Sequence, residues 1–459
     1  MNKTLFILLC FLVFSANLLA QNSNSLSKIA STPPMGWNSY NCYGATVTEK
    51  EIKENADFMA EHMKQYGWQY VVVDFCWSYP HHPKSTQDNP GQMRLPKDKS
   101  YQPWLSMDSY GRLIPFEGKF PSAVKEKGFR PLSDYVHSKG LKFGIHIMRG
   151  IPRQAVWEKT PVWGVSGITA DMIADTTSTC EWLDNMYGID MKKKGAQGYL
   201  NSLVKLYADW DVDFLKLDDI ANPYHAAEIE GYHKAIQNSG RLIILSISPG
   251  ATPVSEAANV AKLANQWRMS ADFWDNWTQL LHMFDLAKTW EGIGKPGAWP
   301  DCDMLQIGKL SKRGPVGKER FSRFAEEELY THMTFWCLFR SPLMIGGNLP
   351  ENRELEMKLI TNPEVISVNQ NGINPRQLLR TSSYIVWASN MQNSEDLNIA
   401  IFNISDKQTQ IDIPLKLIGL KGKYQLRDLW KMKDIGSTKN QISVNLKSHE
   451  PILLRLRKY

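Results

Sequence analysis

The stretch Phe214-Leu215-Lys216-Leu217-Asp218-Asp219 decides the fold class of this chain. An apolar run that ends in Lys-x-Asp is typical of a buried parallel strand with a carboxylate at its C-terminal tip. Seven further short apolar runs alternate with longer helical patterns, at residues 35–37, 70–74, 142–148, 242–246, 265–268, 298–299 and 343–345. Eight strands that alternate with helices predict a (β/α)8 TIM barrel built on a parallel sheet.

The character of the chain changes after about residue 372. Strand-like runs at residues 384–388, 397–402, 441–446 and 452–456 follow one another with turn residues between them. This pattern predicts an antiparallel β-sandwich. The 459 residues are therefore divided into an N-terminal segment at 1–20, a barrel domain at 21–372 and a sandwich domain at 373–459.

The N-terminal segment has the pattern of a signal peptide. Lys3 precedes an apolar run at 5–14, and small residues follow, with cleavage expected after Ala20. The run is short for a bilayer span, and no later stretch has the pattern of a membrane helix. We therefore expect an exported protein, periplasmic in a source with two membranes and otherwise secreted. The net charge of +6 is spread without a long basic run, which argues against a nucleic-acid partner.

Two carboxylates carry the functional interpretation. Asp218 ends the strand quoted above, and Asp272 ends the segment Trp267-Arg268-Met269-Ser270-Ala271-Asp272. Retaining glycoside hydrolysis needs such a pair, one as nucleophile and one as acid/base. Active sites of barrel enzymes lie at the C-terminal ends of the strands. Six candidate residues fall at or just beyond those ends: Asp74, Asp218, Ser248, Arg268, Asp272 and Asp303.

Each member of the pair has a simpler structural interpretation. Asp218 could cap the following helix, and Arg268 with Asp272 could form a plain i,i+4 ion pair. A non-catalytic carbohydrate-binding barrel would lose one of the two carboxylates, whereas this chain keeps both. A metal-dependent hydrolase would need a cluster of ligands, and the His81-His82 pair does not provide one. We expect no metal and no cofactor.

An ordered series of motifs resembles glycoside hydrolase family 27, which contains α-galactosidases and α-N-acetylgalactosaminidases. The resemblance covers nearly all of the mature chain. The matching segments are Thr32-Pro33-Pro34-Met35-Gly36-Trp37-Asn38-Ser39, Val73-Asp74-Phe75-Cys76-Trp77, Gly140-Leu141-Lys142-Phe143-Gly144-Ile145, residues 214–218, residues 267–272, Trp299-Pro300-Asp301-Cys302-Asp303-Met304-Leu305, Ser341-Pro342-Leu343-Met344-Ile345-Gly346 and Leu426-Arg427-Asp428-Leu429-Trp430.

The resemblance implies a retaining exo-glycosidase that removes terminal α-galactose-configured sugars, first of all an α-galactosidase. Its substrate would be an oligosaccharide or a polysaccharide side chain. It assigns Asp218 as the nucleophile and Asp272 as the acid/base, and the positive charge of Lys216 would keep Asp218 ionised. The sequence indicates no oligomeric state. The remaining expected pocket residues are Trp37, Tyr40, Asp74, Phe75, His146, Lys216, Ser248, Ala251, Arg268 and Asp303.

Five of these residues depart from the family pattern. Tyr40 replaces the Trp that most members carry, and His146 stands where many carry Tyr; the other three bear on the choice of sugar. Phe75 stands where α-galactosidases carry a second Asp that holds hydroxyls around C4 and C6. An apolar side chain there suits β-L-arabinopyranose, which is α-galactose without C6. Ser248 and Ala251 stand where α-galactosidases have a CEWx motif, and they resemble the pair that makes room for a 2-acetamido group. β-L-Arabinopyranosidase and α-N-acetylgalactosaminidase activities are therefore the alternatives.

Five cysteines follow the predicted cleavage site, and they lack the CxxC spacing of zinc sites. The family often links the loop after the first strand to the Cys of its DDCW motif, which here is Cys76. The usual partner position is Ala45, and Cys42 lies three residues earlier, so the resemblance implies a possible Cys42–Cys76 disulfide. Two long loops, at 78–118 and 149–194, are expected to shape access to the site.

Overall fold

The structure is a computed structural model that describes residues 29–79, 105–183 and 185–459. The predicted signal peptide, His81-His82 and most of the loop at 78–118 lie outside the described residues. None of the helices in the described part of the chain combines the length and apolarity needed to cross a bilayer.

The described strands, in chain order, are β1 (Met35–Asn38), β2 (Tyr70–Val73), β3 (Lys142–Met148), β4 (Ile151–Pro152), β5 (Ala174–Thr179), β6 (Met186–Ile189), β7 (Phe214–Asp218), β8 (Ile244–Ile247), β9 (Gln266–Arg268), β10 (Trp299–Asp301), β11 (Lys309–Leu310), β12 (Arg320–Phe321), β13 (Leu343–Ile345), β14 (Gly372–Arg380), β15 (Tyr384–Met391), β16 (Leu397–Asn403), β17 (Thr409–Pro414), β18 (Tyr424–Asp428), β19 (Lys433–Thr438), β20 (Gln441–Leu446) and β21 (Pro451–Lys458). The described α-helices are α1 (Tyr40–Tyr43), α2 (Glu49–His62), α3 (Arg130–Ser138), α4 (Arg153–Glu158), α5 (Ala170–Ile173), α6 (Ala196–Asp209), α7 (Ala226–Ser239), α8 (Ala257–Leu263), α9 (Trp277–Thr289), α10 (Glu326–Phe339), α11 (Glu354–Ile360) and α12 (Pro363–Asn371).

The barrel is a parallel sheet of eight strands in the order β10-β9-β8-β7-β3-β2-β1-β13. A parallel bridge between Leu305, just after β10, and Ile345 of β13 joins its two edges. The eight predicted strands are confirmed. Their residues are almost all buried, as expected where helices cover a parallel sheet. The fifth barrel strand starts at Ile244 and not at the predicted residue 242, since Leu242 is exposed.

The C-terminal domain is the predicted antiparallel β-sandwich. One sheet has the strand order β14-β15-β16-β21-β18-β19, and β17 pairs with β20 in a second sheet. Ile411 and Ile413 of β17 belong to the same apolar core as Ile399 and Ile401 of β16. This domain packs on the barrel helices through aromatic contacts, including Phe284 on Phe402 with ring centroids 4.9 Å apart.

A structured excursion fills much of the long loop between β3 and β7. Its strands β4, β6 and β5 form a small antiparallel sheet beside the C-terminal end of the barrel. The turn between β5 and β6 carries Trp182, whose side chain is partly exposed. This excursion therefore adds residues to the end of the barrel where the strand-tip carboxylates lie.

The disulfide expected between Cys42 and Cys76 is absent: both are free, buried thiols. The thiol of Cys42 lies beside the backbone of Lys312, whereas that of Cys76 lies beside Lys119 and Tyr79, so the two sulfurs occupy different surroundings. The ammonium group of Lys119 instead donates hydrogen bonds to the carbonyls of both Ala45 and Cys76. A buried lysine thus joins the two segments that the family resemblance expected a disulfide to link.

Candidate active site

Asp218, at the tip of β7, is held through both of its carboxylate oxygens. The Nε2 of His146 lies 2.8 Å from one oxygen, and the hydroxyl of Ser248 donates to the other. Burial alone would raise the pKa of Asp218, but the charge of Lys216 and the bonds from His146 and Ser248 hold that pKa well below its usual range. The side chain is consequently an ionised carboxylate in a fixed orientation, as a nucleophile requires.

Asp74, just beyond β2, forms the floor of the same site with Lys216. Asn38 donates to its Oδ2 at 2.7 Å, and the ammonium of Lys216 lies 2.9 Å from the same oxygen. Lys216 also lies over the ring of Tyr40, with its Nζ 5.5 Å from the ring centroid. Burial, followed by the charges of Asp272, Asp74 and Asp218, raises the pKa of Tyr40 well above its ordinary value, which places this ring among all three carboxylates.

Asp272 belongs to the same site as Asp218 and is about half exposed. Its carboxylate is 3.3 Å from the guanidinium of Arg268, which also binds Asp303 at 2.7 Å. Burial, together with the neighbouring Asp272 and Asp301, raises the pKa of Asp303 against the opposing charge of Arg268. The i,i+4 ion pair between Arg268 and Asp272 is present, but it belongs to a network in which Arg268 binds two carboxylates.

An aromatic wall adjoins this floor. Phe75 is buried, and its ring meets those of Tyr40 at 6.0 Å, His146 at 5.6 Å and Trp182 at 5.9 Å between centroids. The residue after Asp74 thus presents ring carbons where a second carboxylate would provide hydrogen-bond acceptors. Its backbone N–H donates to Asp74 at 2.9 Å, which fixes the two side chains relative to one another.

These residues surround one cavity of about 520 Å³. Its size suits a sugar and part of a leaving group. The predicted pocket residues Tyr40, Asp74, Phe75, Lys216, Asp218 and Asp272 line it. Sequence reasoning missed six other lining residues, all on loops: Trp182, Asn222, Pro249, Gly250, Ala271 and Trp274.

Six of the residues expected at the pocket do not line this cavity: Trp37, His146, Ser248, Ala251, Arg268 and Asp303. Trp37 is fully buried and donates its indole N–H to the carbonyl of Gly347, so it does not wall the cavity. His146 acts on Asp218 as well as on the aromatic wall. The hydroxyl of Ser248 donates to Asp218, and Ala251 does not line the cavity.

Arg268 and Asp303 lie behind the cavity and line a small internal void with Lys216. Arg268 contacts the cavity residue Asp272, and Asp303 binds Arg268, but neither Arg268 nor Asp303 lines the cavity. The overall arrangement places an ionised carboxylate and a half-exposed one in the lining of a single cavity, together with the polar groups of Asp74 and Lys216. Such an arrangement can carry out displacement at a sugar carbon.

Profiles of two protein families match this chain. The profile described as "Alpha galactosidase A" matches residues 188–371, and that described as "Alpha galactosidase C-terminal beta sandwich domain" matches residues 381–456. The first of these segments contains both Asp218 and Asp272. The second covers most of the antiparallel domain.

Whole proteins match over nearly the full length. Alpha-galactosidase 2 of Arabidopsis thaliana is 28% identical over 95% of this chain and 91% of its own. The solved structure of a family 27 β-L-arabinopyranosidase from Geobacillus stearothermophilus, in complex with arabinose, is 45% identical, with a TM-score of 0.89 over 95% of this chain and 99% of that one. A Bacillus halodurans protein provisionally described as an α-N-acetylgalactosaminidase is 43% identical, with a TM-score of 0.81 over 93% and 97% of the two chains. The chain is a glycoside hydrolase and belongs to glycoside hydrolase family 27.

Proposed function

We propose that this enzyme removes terminal α-galactose-configured sugars with retention of configuration, and that β-L-arabinopyranose is the sugar it prefers. The observation that carries this proposal is the cavity in which Asp218 and Asp272 lie beside the aromatic wall of Phe75. The two carboxylates account for the reaction, and the wall accounts for the choice of sugar.

In the first step, a carboxylate oxygen of Asp218 attacks C1 of the terminal sugar while Asp272 transfers its proton to the glycosidic oxygen. The C1–O bond to the leaving group breaks, and a glycosyl ester on Asp218 forms. In the second step, Asp272 takes a proton from a water molecule, whose oxygen attacks C1 and releases the sugar. Two inversions at C1 give net retention.

The preference follows from what Phe75 cannot do. A galactose ring bound with its 4-hydroxyl at Asp74 directs its C6 hydroxymethyl toward the neighbouring wall, where Phe75 offers no acceptor. A hydroxyl desolvated without a partner commonly costs about 1–3 kcal/mol, which is roughly tenfold or more in relative rate. β-L-Arabinopyranose has the same ring configuration and no C6, so it avoids this cost. The Geobacillus relative supports the same choice.

Cleavage of α-galactosides is the second candidate. The rest of the floor, with Asp74 and Lys216 bound to each other, has the polar groups expected for a galactose ring. The plant relatives at 27–28% identity are named α-galactosidases. The hydroxyl of Ser248 donates to Asp218, so this residue gives no comparable support for a 2-acetamido sugar.

A panel of p-nitrophenyl glycosides tests the proposal. The β-L-arabinopyranoside should give the highest kcat/KM, the α-galactoside a lower one, and the α-N-acetylgalactosaminide the lowest. Proton NMR of the first-formed sugar should show retained anomeric configuration. An inverted product would rule out double displacement, and a clear preference for the α-galactoside would make the second candidate the function.

A further inference from the structure

We propose that Trp182 is a specificity-determining residue that completes the apolar corner at Phe75 and selects against sugars with an exocyclic hydroxymethyl group. This inference rests on the proposed function and deepens it by naming a second residue that chooses the sugar. Trp182 lies on the excursion between β3 and β7, outside every motif of the sequence.

The position of the ring is the first observation. Trp182 lines the cavity, and its indole meets the ring of Phe75 with centroids 5.9 Å apart and an interplanar angle of 53°. Phe75 is only 5% exposed, whereas Trp182 is 42% exposed, so the indole covers Phe75 on the solvent side. A group that projects from the sugar into this corner would meet aromatic carbon from two directions.

The second observation is that Cys180, two residues before Trp182, lies beside the residue that follows the nucleophile. The thiol of Cys180 is buried, and it lies beside the carboxylate of Asp219 and the backbone N–H groups of Trp182 and Leu183. Asp219 directly follows Asp218 and has a left-handed backbone, with φ of 61°. Cys180 and the nucleophile thus both adjoin Asp219.

Arg149 binds the segment formed by Asp218 and Asp219. Its guanidinium binds the Asp219 carboxylate at 2.9 Å and the backbone carbonyl of Asp219 at 2.7 Å, and its backbone N–H donates to the carbonyl of Asp218. It also binds Glu228 at 2.8 Å. All these groups are buried. This network fixes Asp219, the residue beside which the thiol of Cys180 lies, two positions before Trp182.

The test compares kcat/KM for p-nitrophenyl β-L-arabinopyranoside with that for p-nitrophenyl α-galactoside. In Trp182→Ala, the ratio of the two should fall about tenfold from its wild-type value, mainly through a lower KM for the α-galactoside, whose hydroxymethyl group gains room and water. Trp182→Phe, which keeps an aromatic ring, should retain most of the ratio. A change of less than about twofold in Trp182→Ala, or an equal loss on both substrates, would overturn the proposal.

Cys180 supplies the matched pair for the positioning role. Cys180→Ser keeps a donor and an acceptor and should preserve the ratio, whereas Cys180→Ala should lower it in the same direction as Trp182→Ala, by a smaller factor. Equal ratios of kcat/KM in Cys180→Ser and Cys180→Ala would show that the Cys180 thiol does not position Trp182. If Cys180→Ala fails to fold, the two Trp182 variants still decide the main point, because that side chain is partly exposed. The wild-type ratio tests the proposed function, and the change of the ratio on mutation tests this inference.

Discussion

His146 offers the sharpest test of how the nucleophile is kept ionised. Its Nε2 lies 2.8 Å from Asp218, and the side chain is only 2% exposed, so bulk water cannot replace the bond. We expect His146→Phe to raise the pKa of Asp218, because the buried carboxylate loses a donor that stabilises its charged form. A carboxyl group with a higher pKa takes up its proton at a higher pH, and the protonated form cannot attack C1.

The size of the effect follows from the kind of bond. A hydrogen bond to a charged group contributes about 1.5–3 kcal/mol, and one pKa unit corresponds to about 1.4 kcal/mol. The acid limb of the kcat/KM profile should therefore move upward by about 1 to 2 pH units. Lys216 and Ser248 still bind or face Asp218 in the variant, and they keep the carboxylate from losing all its stabilisation.

The assay is kcat/KM for an activated aryl β-L-arabinopyranoside, measured from the lowest pH that the fold tolerates up to about pH 8, because the pKa of Asp218 lies well below its usual range. His146→Gln is the matched control, since its amide nitrogen can donate from nearly the position of Nε2. Its acid limb should lie close to the wild-type limb. An unmoved acid limb in His146→Phe, with normal folding, would refute the reasoning and leave His146 as part of the aromatic wall only.

Four further outcomes are expected. Asp218→Asn should leave no more than a trace of turnover in the p-nitrophenyl assay, and substantial activity would place the nucleophile elsewhere. Asp272→Asn should lose far more rate on alkyl than on dinitrophenyl glycosides, because only poor leaving groups need the proton; equal losses would contradict its role as acid. Phe75→Asp should raise the α-galactoside rate relative to the β-L-arabinopyranoside rate by about tenfold, and an unchanged ratio would show that Phe75 does not face C6. Burial raises the pKa of Glu228 from 4.5 to about 7 against the opposing charge of Arg149, so the folded state keeps this proton longer than the unfolded state does. The free energy of unfolding of the wild type, measured with urea, should therefore fall by up to about 3 kcal/mol through this group as the pH rises from 4.5 to 7. In Glu228→Gln, this part of the pH dependence should be absent.

Most of the fold could be predicted because the barrel strands are local patterns. Each is a short buried run, and runs such as 142–148 and 214–218 are apolar enough to stand out between amphipathic helices. The excursion at β4 to β6 could not be found in this way. β5 has mostly exposed side chains without a regular alternation, so its sequence resembles that of a loop.

The site was predictable where it depends on strand tips, and not where loops complete it. Asp74, Lys216 and Asp218 follow directly from where β2 and β7 lie, and the structure brings them together. Trp182 and Trp274 line the cavity because the chain folds back over the barrel, which no short motif specifies. A signal was nevertheless present for Trp274, since it lies two residues after Asp272.

The catalytic floor and the sugar-selecting wall come from different parts of the chain. The ionisation of Asp218 is set by Lys216 on its own strand, by His146 on β3 and by Ser248 after β8, and none of these depends on the side chain after Asp74. The wall is formed by Phe75 and by the turn that carries Trp182. The two sets meet at the ring of His146 and at that of Tyr40, which contacts Phe75 and lies under Lys216. Substitutions in the outer part of the wall, such as at Trp182, should therefore change the choice of sugar more than they change the ionisation of Asp218. Such a division explains how one mechanism serves sugars that differ only at C6, and it is why selectivity and turnover should respond to different substitutions in this enzyme.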